Sequence, residues 1–317
     1  MTDSTMRAVV QHQYGGPEVL HVEQVPRPQP LPTEVLVRVT AAGINPVDWK
    51  TRAGSGMAGV LGAPPIVLGW DVSGVVEQVG FGVTRFAPGD EVYGMPWFPR
   101  QAGAYAEYVT APARQFAKKP VKASHEQAAG VPLAALTAWQ ALADTAAIEP
   151  GQRVLIHAAA GGVGHFAVQF AKHLGAHVIG TASAGRHAWL SEIGADELID
   201  YHTTPFEEAA RDVDVVLDLV GGETGVRSVP VLRPGGLLIA VPGGVSADLA
   251  AAAQKRDIRT TGILVEPDGA ALTTIATLID AGAVVSEIEQ VFPLADAPEA
   301  HRRGEQGRTR GKLVLRV

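Results

Sequence analysis

A cluster of small residues follows a short apolar run near the middle of the chain. The run from Arg153 to His157 is typical of a buried strand, and the stretch from Ala159 to Gly164 reads AAGGVG, which fits the pattern A-x-G-x-x-G. Such a turn lets a pyrophosphate approach the backbone, and the N-terminus of a following helix offers unpaired N–H groups. The pattern predicts a dinucleotide site with these contacts: Ala159, Gly161, Gly162, Val163 and Gly164.

The loop after the next predicted strand, His177 to Thr181, bears on which dinucleotide binds. A site for NAD(H) usually has an Asp or Glu about 20 residues after the glycines, where it bonds the ribose 2′-hydroxyl. Here the loop has no acid, and Ser183 is followed by Arg186. A guanidinium suits phosphate oxygens, and Tyr201, after the third strand, adds a hydroxyl donor. The pattern favours NADP(H), which carries a 2′-phosphate.

The composition of the 317 residues excludes several classes of protein. There is no cysteine, so disulfides, thiolate nucleophiles and Cys-ligated zinc are ruled out, and the net charge of −7 argues against non-specific nucleic-acid binding. The start, MTDSTMRAVV, carries no apolar signal segment, and no apolar run approaches the roughly 18 residues of a membrane span. We expect a soluble, cytoplasmic protein with no membrane partner.

The pattern of the chain changes near Ser124, a predicted helix N-cap. Before it, β-rich runs such as Val35 to Val39 and Ser73 to Val79 alternate with turns, which indicates a β-barrel-like domain. After it, strands and helices alternate, which indicates an α/β fold with a doubly wound parallel sheet. The tail is expected to return to the first domain. The predicted domains are residues 1–123 with 284–317, and residues 124–283.

The tail itself is predicted to contain two strands and a helix. Val284 to Ile288 and Lys312 to Val317 are the strands, and the helix between them ends near Arg303. Several basic residues lie close together there and are interpreted as a solvated face: Arg302, Arg303, Arg308, Arg310 and Lys312.

Several motifs, taken in order, resemble one known family. They are GGPEVL at 15–20, AGINPVD at 42–48, GDEVYG at 89–94, HAAAGGVG at 157–164 and the closing GKLVL at 311–315. The chain resembles, over essentially its whole length, the zinc-free quinone oxidoreductase branch, zeta-crystallin-like, of the medium-chain dehydrogenase/reductase superfamily. The resemblance implies a GroES-like catalytic domain with an inserted Rossmann domain. It also implies hydride transfer from NADPH and a homodimer paired through the Rossmann sheets.

The resemblance also predicts that no metal is bound. Zinc-dependent relatives carry a Cys where this chain has Asn45, and a His-Glu pair where it has Trp70 and Asp71. The ten His residues are scattered, and no other cluster replaces the missing ligands. Polarisation of an alcohol by a Lewis acid is therefore not expected.

Site residues follow from the resemblance, position by position. Asn45 and Asp48 match a segment near the nicotinamide and the substrate, and Thr137 matches a threonine beside the nicotinamide. For Asp48 a structural turn role is equally open, and for Thr137 a hydrogen bond to its own helix. Further cofactor contacts are implied after the fourth and fifth strands of the second domain: Val220, Gly221, Pro242, Gly243 and Gly244.

The predicted activity is NADPH-dependent reduction of quinones or of the activated C=C bond of α,β-unsaturated carbonyls. The protein would place the reacting carbon and stabilise the developing oxyanion through hydrogen bonds. Trp97 and Phe98, in a turn-rich loop, are the best candidates to line the binding site of a flat acceptor, ahead of Trp49 and Trp70. Two alternatives remain open: a trans-acting enoyl-thioester reductase of a biosynthetic pathway, and an NADPH-binding protein with little catalysis.

Overall fold

A computed structural model describes residues 4–317 of the chain. Residues 1–3 lie outside the described residues. They belong to the stretch MTDSTMRAVV, for which the sequence predicts no signal segment. The described residues form these strands: β1 Thr5–Gln11, β2 His21–Pro26, β3 Glu34–Ile44, β4 Ile66–Val67, β5 Asp71–Val79, β6 Glu91–Gly94, β7 Tyr108–Pro112, β8 Phe116–Lys118, β9 Arg153–Ile156, β10 His177–Ala182, β11 Glu197–Asp200, β12 Val213–Asp218, β13 Leu232–Ala240, β14 Arg259–Gly262, β15 Ile288–Pro293 and β16 Lys312–Arg316.

Helices lie between many of these strands, and their ends follow the usual capping chemistry. At the start of the third helix, Ser124 Oγ accepts from the Gln127 backbone N–H and the Gln127 side chain bonds back, so the predicted N-cap is confirmed. The helices are α1 Pro46–Arg52, α2 Ala58–Leu61, α3 His125–Ala129, α4 Pro132–Trp139, α5 Gly162–His173, α6 His187–Glu192, α7 Phe206–Ala209, α8 Glu223–Ser228, α9 Ala247–Gln254, α10 Gly269–Ala281 and α11 Ala297–Glu305.

The chain divides into two compact units. The first contains residues 4–136, Glu266–Gly282 and Ser286–Val317, and the second contains Thr137–Val265 and Ala283–Val285. The first unit is therefore built from both ends of the chain. The domain limits given above, at residues 123 and 284, stay a prediction.

The first unit is the GroES-like, β-rich part of the protein. Its seven-stranded sheet has the order β15-β16-β3-β5-β6-β8, with β7 also paired to β3, and a separate three-stranded sheet has the order β2-β1-β4. Strand β3 is central because it pairs antiparallel with β16 on one side and β5 on the other. Its β-branched residues Val35, Val37 and Val39 are buried in the core of the unit. This arrangement brings the end of the chain next to the segment that follows β3.

The second unit is a Rossmann-like α/β domain. Its six parallel strands have the order β11-β10-β9-β12-β13-β14, which is the doubly wound order 3-2-1-4-5-6. Val154, Leu155 and Ile156 of β9 are completely buried, as expected for a parallel strand covered on both faces. The fold class predicted from the sequence is thus confirmed. Since the strands are parallel, the loops at their carboxyl ends all emerge at one edge of the sheet.

Two local predictions differ from the structure. Helix α1 was not expected, because its seven residues are too few to show an apolar period; Pro46 at its first position and the capping pair of Asn45 and Asp48 define it instead. The predicted strand Val284 to Ile288 was wrong for residues 284–287, and β15 begins at Ile288. The Val285 N–H and C=O are both bonded to the Gln169 side chain, at 2.7 and 3.0 Å, rather than to a strand.

Candidate active site

The glycine loop of the second unit connects β9 to α5. The Ala159 N–H donates to the Thr181 carbonyl oxygen at 3.1 Å, which ties the loop to the end of β10. Ala158 adopts φ of 50°, a left-handed conformation that is uncommon for a residue with a side chain. Gly161 is the N-cap of α5 and provides no side-chain cap. The first turn of a twelve-residue helix therefore presents its N–H groups without a capping side chain.

The two flanking glycines of this loop meet different surroundings. A Cβ on Gly164 would lie 2.3 Å from the Ala158 carbonyl oxygen and 2.7 Å from that of Ala159, so only glycine fits where the helix approaches the loop. A Cβ on Gly161 would meet only the Ala158 carbonyl oxygen, at 3.3 Å, and would otherwise enter open space. Gly164 therefore serves packing, and Gly161 leaves room above the helix N-terminus for a phosphate. The loop fits a dinucleotide pyrophosphate.

The loops after β10 and β11 contain the residues predicted to contact the nucleotide end. Ser183 precedes a short 3-10 turn, Ala184–Arg186, in which the Arg186 N–H donates to the Ser183 carbonyl oxygen at 2.9 Å. The side chain of Arg186 is partly exposed. Tyr201 is largely exposed and lies against the His202 ring, with 4.2 Å between ring centroids. These side chains follow neighbouring parallel strands, which supports their assignment to one corner of the sheet edge.

An acidic residue that the sequence analysis missed shapes the loop after β12. One carboxylate oxygen of Asp218 accepts from the backbone N–H groups of Val220 and Gly221, both at 2.9 Å. Gly221 has φ of 81°, and a Cβ there would come within 3.0 Å of the Pro242 carbonyl oxygen. The loop after β12 thus packs closely on the loop after β13. The available signal was an Asp that ends an apolar strand in the sequence DLVGG, at 218–222.

Gly243 and Gly244 continue the loop after β13 in a conformation that favours glycine. Their φ values are 76° and 67°, and a Cβ on either would have no atom within 4 Å. The space beside them is therefore open, which fits the approach of a ligand to the backbone.

His157, directly after β9, fixes the base of the glycine loop. The Ser228 hydroxyl donates to the Thr224 carbonyl oxygen at 2.7 Å, so its oxygen accepts from His157 Nε2–H at 2.9 Å. Nδ1 then accepts from the Thr181 hydroxyl at 3.1 Å. Burial lowers the pKa of His157 to about 4, which keeps the ring neutral near pH 7. A neutral histidine bonded on both sides holds strands and helix together and is not free to act on a substrate.

In the first unit, Asn45 and Asp48 lie together at the start of α1. The Asn45 backbone N–H donates to Asp48 Oδ2 at 2.7 Å, which closes the first turn of the helix. Both side chains are buried. Burial raises the pKa of Asp48 to about 7, the bond from Asn45 opposes this, and the nearby carboxylate of Asp71 adds to it. A carboxyl whose folded pKa is raised contributes stability at low pH that is lost as the pH rises through about 7.

Asn45 also belongs to a polar cluster with Asp71 and Lys312. Its Nδ2 donates to Asp71 Oδ2 at 2.8 Å, its Oδ1 accepts from Lys312 Nζ, and Lys312 Nζ lies 3.5 Å from Asp71 Oδ2. Burial lowers the pKa of Lys312 and raises that of Asp71, and the attraction between the two opposes both shifts. The interpretation of Lys312 as part of a solvated face was wrong, because only 3% of its surface is exposed.

A second chain of buried polar groups reaches Asp48 from the other side. Arg52 Nη1 donates to His301 Nδ1 at 3.2 Å, so His301 Nε2 carries the proton and donates to the Tyr105 hydroxyl oxygen at 3.2 Å. The Tyr105 hydroxyl proton is then left to face Asp48, with which it interacts. Burial, and after it the charge of Arg52, lowers the pKa of His301 to about 3. The chain of donors from Arg52 through His301 thus leads to Tyr105, beside Asp48, and the hydrogen bond that holds the Asp48 carboxylate comes from the Asn45 backbone N–H.

The remaining predicted site residues are largely packed. Thr137, on α4, is buried in the second unit. Trp70 is buried and donates to the Arg100 carbonyl oxygen at 2.7 Å, and Phe98 packs edge-on against it at 5.4 Å. Trp97 is half-buried and donates from Nε1 to the Thr110 carbonyl oxygen at 2.7 Å. Phe98 is therefore mainly a core residue, and Trp97 retains a partly exposed ring.

Lys312 is the principal residue of the first unit that the sequence analysis assigned wrongly. The signal was its position at the start of an apolar strand, where a lysine that is not on an edge must find buried partners. No group of three or more His, Cys, Asp or Glu side chains that could hold a metal ion occurs within residues 4–317. No helix in the same range is long and apolar enough to cross a membrane.

Two family descriptions match separate parts of the chain. Residues 31–121 match the alcohol dehydrogenase GroES-like domain, and residues 193–315 match the zinc-binding dehydrogenase domain. A 2-haloacrylate reductase from Burkholderia sp is 36% identical over 332 residues, covering 97% of this chain and 98% of that protein.

Solved structures share the whole fold. The quinone oxidoreductase from Coxiella burnetii has a TM-score of 0.94 and 40% identity, covering 99% of both chains. The Escherichia coli quinone oxidoreductase complexed with NADPH has a TM-score of 0.88 and 32% identity, covering 98% of this chain and 100% of that one. A GroES-like unit joined to a Rossmann-like unit defines a class of nicotinamide-dependent oxidoreductases. This chain belongs to the medium-chain dehydrogenase/reductase superfamily, among its quinone oxidoreductases and enone reductases, and is an oxidoreductase of that type.

Proposed function

We propose that this enzyme uses NADPH to reduce quinones or the activated C=C bond of α,β-unsaturated carbonyls, and that it does so without zinc. The observation that carries the proposal is the edge of the parallel sheet, where an open glycine loop and a loop with Arg186 but no acidic residue follow adjacent strands. When bound, NADPH supplies the hydride. The relatives named as quinone oxidoreductase and 2-haloacrylate reductase support the acceptor class.

The residues after each strand are proposed to hold different parts of the cofactor. The glycine loop from Ala159 to Gly164 takes the pyrophosphate on the N-terminus of α5, and Ser183, Arg186 and Tyr201 take the 2′-phosphate. The remaining contacts, to the ribose and the nicotinamide, are assigned to Val220, Gly221, Pro242, Gly243, Gly244 and Thr137.

On the substrate side, Asn45 is proposed to donate from Nδ2 to the carbonyl oxygen of the acceptor. The contact with Asp71 uses one of the two hydrogens on Nδ2, so a second remains for this role. Asp48 is proposed to keep the Asn45 backbone in position, since its Oδ2 already accepts from that backbone N–H. The cytoplasmic location and the homodimer remain predictions.

Independence from zinc is supported by what fills the position of the missing ligands. The Lys312 ammonium group bonds Asn45 and pairs with Asp71. Asn45 and Asp71 occupy positions at which zinc-dependent relatives carry metal ligands. A Zn²⁺ ion placed there would be repelled by the buried ammonium group of Lys312 unless it displaced that group. We therefore expect turnover to be unchanged after dialysis against a chelator. A loss that added Zn²⁺ restores would contradict zinc independence.

The acceptor class is tested by a panel of three compounds at a fixed NADPH concentration: a 1,4-quinone, a linear enone and an enoyl thioester. We expect kcat/KM to be highest for the quinone or the enone. A clear preference for the thioester would overturn the proposed acceptor class and favour a biosynthetic enoyl-thioester reductase.

A further inference from the structure

Lys312 is a buried cation with no part in the reaction described so far. It is the first residue of β16, in which Leu313 lies opposite Ile44 of β3. On the other side of β3, Asp71 of β5 lies opposite Gly43. The sheet therefore brings Lys312 and Asp71 from two flanking strands to the point where β3 ends and Asn45 begins.

The surroundings of the lysine are those of a charged ammonium group. Nζ donates to the Ile44 carbonyl oxygen at 2.8 Å and to Asn45 Oδ1, and it lies 3.5 Å from Asp71 Oδ2. An ammonium group has three N–H donors and no acceptor, and the three oxygens around Nζ match that number. A neutral amine would direct a lone pair at one of these oxygens.

These contacts leave the Asn45 carboxamide only one orientation. Lysine can only donate, so it selects Oδ1, and the Asp71 carboxylate can only accept, so it selects Nδ2. Turning the amide over would oppose donor to donor and acceptor to acceptor. Among residues 4–317, Asp71 is the acceptor for Nδ2, and the second N–H of that nitrogen has none. The contact with Lys312 therefore orients the Asn45 amide so that an N–H of Nδ2, and not Oδ1, is available to a ligand.

We propose that Lys312 is a positioning residue for the reduction, which acts through Asn45 to present and strengthen the N–H that bonds the carbonyl oxygen of the acceptor. The inference rests on the proposed reductase function and deepens it. When the acceptor takes up a hydride at carbon, an electron pair moves to its oxygen, and a proton from water completes the two-electron reduction. A cation bonded to Oδ1 draws electron density through the amide and makes Nδ2–H a stronger donor to the forming oxyanion.

A purely structural role for Lys312, as the counter-charge of Asp71, makes a different prediction. Removing the lysine alone leaves a buried carboxylate unpaired, which destabilises the protein whatever the lysine does for catalysis. The double variant Lys312→Met/Asp71→Asn removes both charges and keeps an acceptor oxygen at position 71 for Asn45 Nδ2. If the role is only structural, this variant recovers the Tm and kcat together.

The experiment measures Tm, kcat and KM for the wild type, Lys312→Met, Lys312→Met/Asp71→Asn, Asn45→Ala and Lys312→Met/Asn45→Ala. A 1,4-quinone and a linear enone are the acceptors, and Lys118→Met, at a residue 71% exposed, is the control. We expect the charge-balanced variant, Lys312→Met/Asp71→Asn, to recover the Tm of the wild type. Its kcat should stay about tenfold or more below that of the wild type, and its KM for NADPH should stay within about twofold of the wild-type value. Lys312→Met should add little to the loss in Asn45→Ala, because both act on one hydrogen bond.

The loss of kcat in the charge-balanced variant should also depend on the acceptor. It should be larger for the enone than for the quinone, because an enolate is the more basic anion and needs more stabilisation. Recovery of wild-type kcat in the charge-balanced variant, or fully additive losses with Asn45→Ala, would overturn the role of Lys312 while the reductase function stands. If the wild type itself reduced neither acceptor, the proposed function would fail and this inference with it.

Discussion

Arg186 is the residue on which the proposed preference for NADPH rests. It follows β10 in a loop without an acidic side chain, at the position where NAD(H) sites usually have a carboxylate. A carboxylate there would repel a 2′-phosphate, whereas a guanidinium donates two parallel hydrogen bonds to phosphate oxygens. This difference in charge between an arginine and a carboxylate is the reason that NADPH is proposed over NADH.

Replacing Arg186 by Ala should weaken the binding of NADPH far more than that of NADH. The loss of a charge-assisted phosphate contact is expected to cost about 1.5–3 kcal/mol, or about 10- to 150-fold in Kd. The Kd values are measured by titration of both cofactors, with Arg256→Ala, at an exposed residue of the same unit, as control. Equal losses for NADPH and NADH would refute the assignment.

Helix α5 and the loop before it form the element that the cofactor is proposed to contact. The two glycines of the loop have different roles. Gly164 allows close packing against backbone oxygens, and Gly161 borders open space. The positive φ of Ala158 and the bond from Ala159 to Thr181 keep the loop in one conformation. The element is therefore rigid where it meets the sheet and open where a phosphate is expected.

Substitutions at these two glycines should separate folding from binding. Gly164→Ala places a Cβ against two backbone oxygens and should lower stability by about 1–3 kcal/mol, seen as a lower Tm. Gly161→Val should lower Tm less than Gly164→Ala does, since its Cβ meets a single backbone oxygen, and it should abolish NADPH binding because its side chain occupies the space above the helix N-terminus. Gly59→Val, in open space on α2, is the control. Unchanged NADPH affinity in Gly161→Val would contradict the proposed pyrophosphate site.

The sequence predicted the second unit better than the first, for a physical reason. Its strands are continuous apolar runs and its glycine loop is local, so pattern and structure coincide within a few residues. The polar cluster of Asn45, Asp71 and Lys312 depends on strand pairing between distant parts of the chain, which no local pattern encodes. The sequence therefore indicated Asn45 as a site residue only through resemblance, and it did not indicate the lysine that holds Asn45.

At the scale of the whole molecule, each unit contains a buried histidine whose pKa is lowered by burial. His301 in the first unit has its pKa lowered to about 3, and His157 in the second has its pKa lowered to about 4, in both cases mainly by burial. Because the unfolded chain binds these protons near the ordinary value of 6.5, each histidine contributes stability above that pH. That contribution is lost as the pH falls toward the folded values.

Lowering the pH from about 6.5 to 4.5 should therefore remove the stability that these two histidines contribute, whereas Asp48, whose folded pKa is raised, acts in the opposite sense; variants that lack one histidine isolate its contribution to Tm. His157→Gln and His301→Gln should each have a lower Tm than the wild type at pH 7, because bonds to buried partners are lost. Each deficit should shrink toward pH 4.5, since the variant has no histidine to protonate. A deficit that stays constant over this range would show that the histidine in question is not forced to remain neutral in the fold.

The most direct test of the central claim is the initial rate of NADPH oxidation by the purified protein with a 1,4-quinone or a linear enone, with NADH measured in parallel. The account predicts turnover with at least one acceptor and a kcat/KM for NADPH about tenfold or more above that for NADH. No turnover with either acceptor while NADPH is bound would contradict it and favour a binding protein. Equal use of NADH would contradict the cofactor assignment.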